Sequence, residues 1–216
     1  GFQLVEAAKK HPVFCCVDVD DFRRICPLLE GTESLLVNGG YIYDANILQK
    51  LQKYYKNVRI EVFTESSYDT LLEAPSKELA AGLAVFLERA QETLGTLRCQ
   101  ILLKKFSPAE LQALYIPESD ALLDETMDEG SFSGFFESFD FGEEIQGDTD
   151  KLYLNGSNRF IKSLRQVEDR QLAAALAKVI YSQALLAGHY TLNAEQSRIM
   201  NEGLQELMEY ALRKGI

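Results

Sequence analysis

Short apolar runs alternate with amphipathic stretches over the first third of the chain. Residues 12–17, 34–38 and 58–63 read as strands, and residues 20–30 and 44–55 between them as helices. A β-α-β-α-β order favours a mostly parallel sheet with helices packed on it. Asp20 is the expected N-cap of the first helix, which Pro27 should shorten or kink. Asp44 is the expected cap of the second, where Ile47, Leu48, Leu51 and Tyr55 recur at helical spacing.

Ala74-Pro75 breaks this pattern, and Ser76 opens a helix with Leu79, Leu83, Phe86, Leu87 and Ala90 on one face. A strand over 98–105, a short helix nucleated by Ser107-Pro108 and a strand over 114–116 are expected next. The last third reads as helical: an amphipathic stretch over 159–167, an Ala-rich helix over 169–187 stopped by Gly188, and a helix from its N-cap Asn193 to about Leu212. The fold class that follows is an α/β subdomain over 1–75, then an α+β domain over 76–216 that ends in a helical hairpin. Ile199, Met200, Leu204, Leu207, Met208 and Leu212 give the last helix more apolar surface than one neighbour should cover. With Leu176, Ile180, Leu185 and Leu186 of the preceding helix they are the expected interface of a homodimer, two hairpins meeting about a two-fold axis as a four-helix bundle.

Composition sharpens this picture in one segment. With 216 residues and 46% hydrophobic content the chain can bury a sizeable core in one or two domains. Its net charge of −11 is concentrated in residues 118–150, which hold twelve acidic residues and no Lys or Arg. Setting those twelve aside leaves 21 of the 33 acidic residues against 22 Lys and Arg, so the remainder is nearly neutral. Such a segment is a poor partner for nucleic acid. Within it, residues 130–147 also contain Phe132, Phe135, Phe136, Phe139 and Phe141, where disordered linkers are poor in aromatics. These rings are expected to contact nonpolar polypeptide while the acids keep the segment in solution.

Apolar runs such as 35–37 and 101–103 fall far below the roughly 18 to 20 residues of a membrane-spanning helix. Gly1 to Lys10 lacks the features of a signal peptide and begins without Met, as a cytoplasmic piece of a longer chain would. Cys15, Cys16, Cys26 and Cys99 are too few and too irregular for a disulfide framework or a metal site. Adjacent Cys15 and Cys16 on a strand should point to opposite faces as small buried hydrophobes.

Chemical motifs are weak. Asn38-Gly39-Gly40 between a strand and a helix could hold phosphate, but it is neither a Walker A loop nor a full GxGxxG, and a tight turn explains it better. Asp18, Asp20 and Asp21 fit helix capping and solvation better than a metal cluster. The acids of 118–150 do not follow calcium-loop spacing, and His11 and His189 have no Glu or Cys at ligand spacing. There is no GxSxG elbow. No catalytic, metal or cofactor-binding residue is assigned, and an enzyme is not expected.

The C-terminal helices carry more specific wording. Asn158-Arg159-Phe160-Ile161-Lys162-Ser163-Leu164-Arg165 is followed by Val179-Ile180-Tyr181-Ser182-Gln183-Ala184-Leu185-Leu186-Ala187-Gly188 with Leu192, and then by Arg198-Ile199-Met200. In order and spacing these resemble segments of the heat shock protein 90 family of chaperones, in its bacterial HtpG-type branch. Leu36-Val37-Asn38-Gly39-Gly40-Tyr41-Ile42-Tyr43-Asp44 and residues 106–115 are similar to stretches of divergent bacterial members. Arg159 stands where the family usually has Pro, and Asn193-Ala194-Glu195 replaces its common Glu-Asp-Pro. The acidic, Phe-rich stretch does not align.

The resemblance implies the end of a middle region followed by a C-terminal dimerisation domain, with unfolded client polypeptides as partners. ATP and Mg would belong to an N-terminal domain of the parent chain, to which no stretch here is similar. The rival reading is a small-molecule or phosphate-binding α/β domain using residues 38–44, with the helices as a regulatory tail.

Overall fold

A computed structural model of the chain describes residues 2–30, 32–40, 44–55, 58, 60–117 and 149–215. Strand β1 (Val13–Cys16) is the centre of a parallel three-stranded sheet, between β2 (Leu35–Asn38) and β3 (Ile60–Val62). Among the described residues, four helices belong to the same unit: α1 (Phe2–Ala8), α2 (Val19–Leu29), α3 (Asp44–Tyr54) and α4 (Glu65–Leu71). Because successive strand residues point to opposite faces, β1 feeds two cores. Val13 and Cys15 pack with Val5, Ala8, Leu48 and Ile60, whereas Phe14 and Cys16 pack with Ile25 and Leu29. Burial on both faces explains why this strand reads as a continuous apolar run rather than an alternating one.

Two details differ from the sequence reading. The cap of α2 is Asp18, not Asp20: its carboxylate accepts from the backbone N–H of Asp20 at 2.6 Å and of Asp21 at 3.2 Å. Helix α2 therefore starts one residue earlier and runs through Pro27 to Leu29. Helices α1 and α4 were not anticipated, since seven residues are too few to display a helical period clearly.

The second unit begins at Leu72. Its helix α5 (Lys77–Leu94) is capped by Ser76, whose Oγ accepts from the Leu79 N–H. Strands β4 (Cys99–Lys104), β5 (Ala113–Ile116) and β6 (Asp150–Asn155) form a mixed sheet ordered β4-β6-β5, with β6 parallel to β4 and antiparallel to β5. Then come α6 (Arg159–Ser163), a 3-10 turn (Leu164–Gln166), α7 (Arg170–Ala187) and α8 (Ala194–Lys214). Alternate residues Cys99, Ile101, Ala113, Tyr115, Leu152 and Leu154 share one core with Leu83 and Phe86 of α5 and Ala177, Ile180, Tyr181 and Leu185 of α7. At the edge strand β4 the Gln91 side chain bonds to the backbone, donating to Cys99 O at 2.9 Å and accepting from Ile101 N at 2.8 Å.

The short helix expected at Ser107-Pro108 is a turn. Its carbonyls are taken by two buried asparagines: the Asn155 amide donates to Pro108 O and Leu111 O, and the Asn158 amide to Ala109 O and Glu110 O. A carbonyl fixed by a tertiary donor has little need of a helical one. Asn158 Oδ1 also caps α6, accepting from Phe160 and Ile161. The chain is thus broadly α/β with a helical C-terminal region, and among the described residues no helix is long and apolar enough to cross a membrane.

Candidate functional site

Helix α8 starts with a complete capping box: Asn193 Oδ1 accepts from Gln196 N at 2.8 Å, and Gln196 Oε1 accepts from Asn193 N at 3.0 Å. Arg213 and Lys214 in its last turn suit the negative end of the helix dipole, and Gly215 ends it at φ 72°. Local signals alone therefore define this 21-residue helix at both ends.

Its contact with α7 is close but narrow. Only Ile199 and Gly203 are buried in α8. A Cβ at Gly203 would lie 2.8 Å from Lys178 Cβ and 3.2 Å from Ala175 O, so glycine is what lets the helices approach there. Beside this crossing, Lys178 Nζ lies 2.7 Å from Glu206 and 3.6 Å from Glu202. The Tyr181 hydroxyl accepts from Gln196 Nε2 at 3.2 Å, and burial raises its pKa.

On the outer side Leu204, Met208 and Leu212 are 37%, 61% and 78% exposed. Their spacing of four residues makes one ridge along the helix, the row that packs into a neighbouring helix's grooves. Met200 and Leu207 are half-buried beside it. Charges flank the ridge, with Arg198 paired to Glu202 and to Glu195 and with Gln205 donating to Glu209.

The ten residues expected at an interface therefore divide. Leu204, Met208, Leu212 and, at the end of α7, Leu186 face outward; Leu176, Met200 and Leu207 are half-buried. Ile180, Leu185 and Ile199 lie in this chain's own core, which corrects their assignment to a contact between chains. Helical periodicity identifies an apolar face but not the neighbour that covers it. Phe132, Phe135, Phe136, Phe139 and Phe141 fall outside the described residues.

The other candidates have structural roles. Gly39 is required by packing, since a Cβ there would meet Cys15 Sγ at 2.5 Å, and Gly40 would bring one within 3.0 Å of Val19 N. Asn38 Oδ1 accepts from Gly40 N at 3.0 Å and closes the turn. Asp20 and Asp21 pair with Arg23 and Arg24 one helical turn on. Cys15 and Cys16 are buried as expected; Cys99 is buried too, which pushes its thiol up to about 12, and Cys26 is exposed.

Sequence reasoning missed a buried polar cluster beneath α7. The Tyr115 hydroxyl donates to Asp150 in a short hydrogen bond, and the Tyr115 ring meets those of Tyr181 and Tyr190 edge-on at 5.8 and 5.2 Å. Burial, reinforced by the Asp150 hydrogen bond, raises the Tyr115 pKa, so this phenol stays protonated. The cluster ties the start of β6 to β5 and α7. Nothing in the spacing of Tyr115, Asp150 and Tyr181 along the chain advertises it.

No model of a known protein family matches the chain, and no curated protein matches it.

Proposed function

We propose that this chain is the self-association and polypeptide-contact portion of an ATP-driven chaperone of the heat shock protein 90 kind that its C-terminal motifs resemble. The observation that carries the reading is the outward ridge of Leu204, Met208 and Leu212 on a helix whose inner face is already packed. Fully burying a Leu or Met is worth roughly 1.5 to 3 kcal/mol, so three or four from each copy can offset the loss of freedom on association. A two-fold contact between copies of the α7–α8 hairpin makes a four-helix bundle. Such a clasp holds two ATP-driven arms at high effective concentration, so that their closure is intramolecular.

In this account the chain itself turns over no ATP; ATP and Mg serve an N-terminal domain of the parent chaperone, in the cytoplasm. The five phenylalanines of residues 130–147 contact client polypeptide, and removing that stretch from the parent chaperone weakens its suppression of client aggregation. Unchanged suppression would contradict the client role. The phosphate-loop rival has little support, because Gly39 and Gly40 are accounted for by close packing.

The clasp is tested by cross-linking. Met208→Cys in a Cys26→Ser background should oxidise rapidly to a covalent dimer, because Met208 is central to the ridge. Cross-linking no faster than for Lys53→Cys in the same background, an exposed position on α3, would refute the contact.

A further inference from the structure

In the second unit, a groove of about 390 Å3 runs beside the start of α5, with Leu79 and Gly82 on its floor. Lys105, at the end of β4, and Lys162 and Arg165, from α6 and the turn after it, line it. Arg165 is next to Gly82: a Cβ at Gly82 would lie 3.9 Å from Arg165 Cβ. Among the described residues none of the three cations has a carboxylate partner; Lys162 donates only to the Ser157 carbonyl, at 3.1 Å. Glu78 also lines the groove but pairs with none of them.

We propose that this groove binds a chain of phosphate groups. Three lining cations without carboxylate partners suit a ligand with several negative charges distributed along its length, and both lysine and arginine are strong donors to phosphate oxygens. The first turn of α5, whose dipole presents its positive end at Ser76, adds to the same field. The volume lies near the lower end of small-molecule sites, enough for more than one phosphate. No aromatic side chain lines the groove, so a nucleoside has no ring to stack on and the phosphates alone are recognised.

The test is calorimetric titration of the full chain with inorganic tripolyphosphate, ATP and adenosine at low salt. Tripolyphosphate should bind saturably with a dissociation constant on the order of 100 μM, weakening as salt is added. ATP should bind within about a factor of three of it and adenosine not at all, if phosphate is what is read. Lys162→Gln with Arg165→Gln should weaken tripolyphosphate binding about tenfold, and Glu78→Gln should tighten it about threefold by removing a like charge. Lys50→Gln with Lys53→Gln, which makes the same charge change on α3, should leave it unchanged; circular dichroism establishes that each variant is folded. No saturable binding by the unaltered chain, wild-type affinity in the groove variant, or an equal loss in the α3 control would overturn the proposal. ATP binding at least tenfold tighter than tripolyphosphate would assign the groove to a nucleotide and overturn it as well.

Discussion

Helices α7 and α8 lie side by side and differ sharply in how they are held. In the 18 residues of α7, Ala173, Ala175, Ala177, Ile180, Tyr181, Ser182, Ala184 and Leu185 are buried; in the 21 of α8 only Ile199 and Gly203 are. The longer helix is the less embedded one. Alanines on α7 let both the sheet and α8 come close, so α7 is a core element with neighbours on several sides. Helix α8 is defined by its own caps and buries only Ile199 and Gly203, leaving the apolar ridge of Leu204, Met208 and Leu212 exposed among the described residues. The difference teaches that an apolar period can mean core in one helix and interface in the next.

Substitutions can break this contrast. The largest effect belongs to the core of α7: Leu185→Ala should destabilise the second unit by about 2 to 5 kcal/mol, measured by urea denaturation, because a fully buried side chain leaves a cavity. Next is the helix crossing. Gly203→Val should destabilise by about 1 to 3 kcal/mol, since even its Cβ would meet Lys178 and Val179 at 2.8 and 3.1 Å. A denaturation midpoint equal to wild type would show that α8 can shift freely on α7.

Lys178→Met probes the polar edge of the same crossing. Its side chain is mostly buried, but those of Glu202 and Glu206 are 41% and 43% exposed, so solvent screens the pairs and the loss should be about 1 kcal/mol or less. Added salt should bring the wild-type and variant stabilities closer together. The smallest effect on folding belongs to the ridge: Leu212→Ala, at a residue 78% exposed, should change unfolding of the isolated chain by less than about 0.5 kcal/mol. A loss as large as that of Leu185→Ala would mean the ridge already packs within its own chain.

The first unit is the better read from sequence, because its strands and helices alternate and β1 pairs in parallel with both β2 and β3, as a β-α-β-α-β order favours. Val13 to Cys16, Leu35 to Asn38 and Ile60 to Val62 fall inside the expected strands. The second sheet is less legible because its centre, β6, inserts between β4 and β5 after residues 118–148. Six residues with Leu152 and Leu154 buried on one face give too short an alternation to announce a strand whose partners lie so far back. Asn155 and Asn158 were invisible for a related reason: an asparagine in sequence suggests a turn, whereas these two hold a distant loop by four amide donations. The helix caps at Ser76 and Asn193 were legible because capping is local. The interface residues were legible only as an apolar set, and burial within the chain was needed to separate Leu204, Met208 and Leu212 from Ile180, Leu185 and Ile199.

The most direct test of the clasp is light scattering at tens of micromolar. The unaltered chain should show twice its 24.3 kDa mass, and Leu204→Asp with Met208→Asp should show the single mass, with an unfolding midpoint within a few degrees of the parent's when both are compared as dilute monomers. A monomer from the unaltered chain, or a dimer that survives both aspartates, would contradict the account.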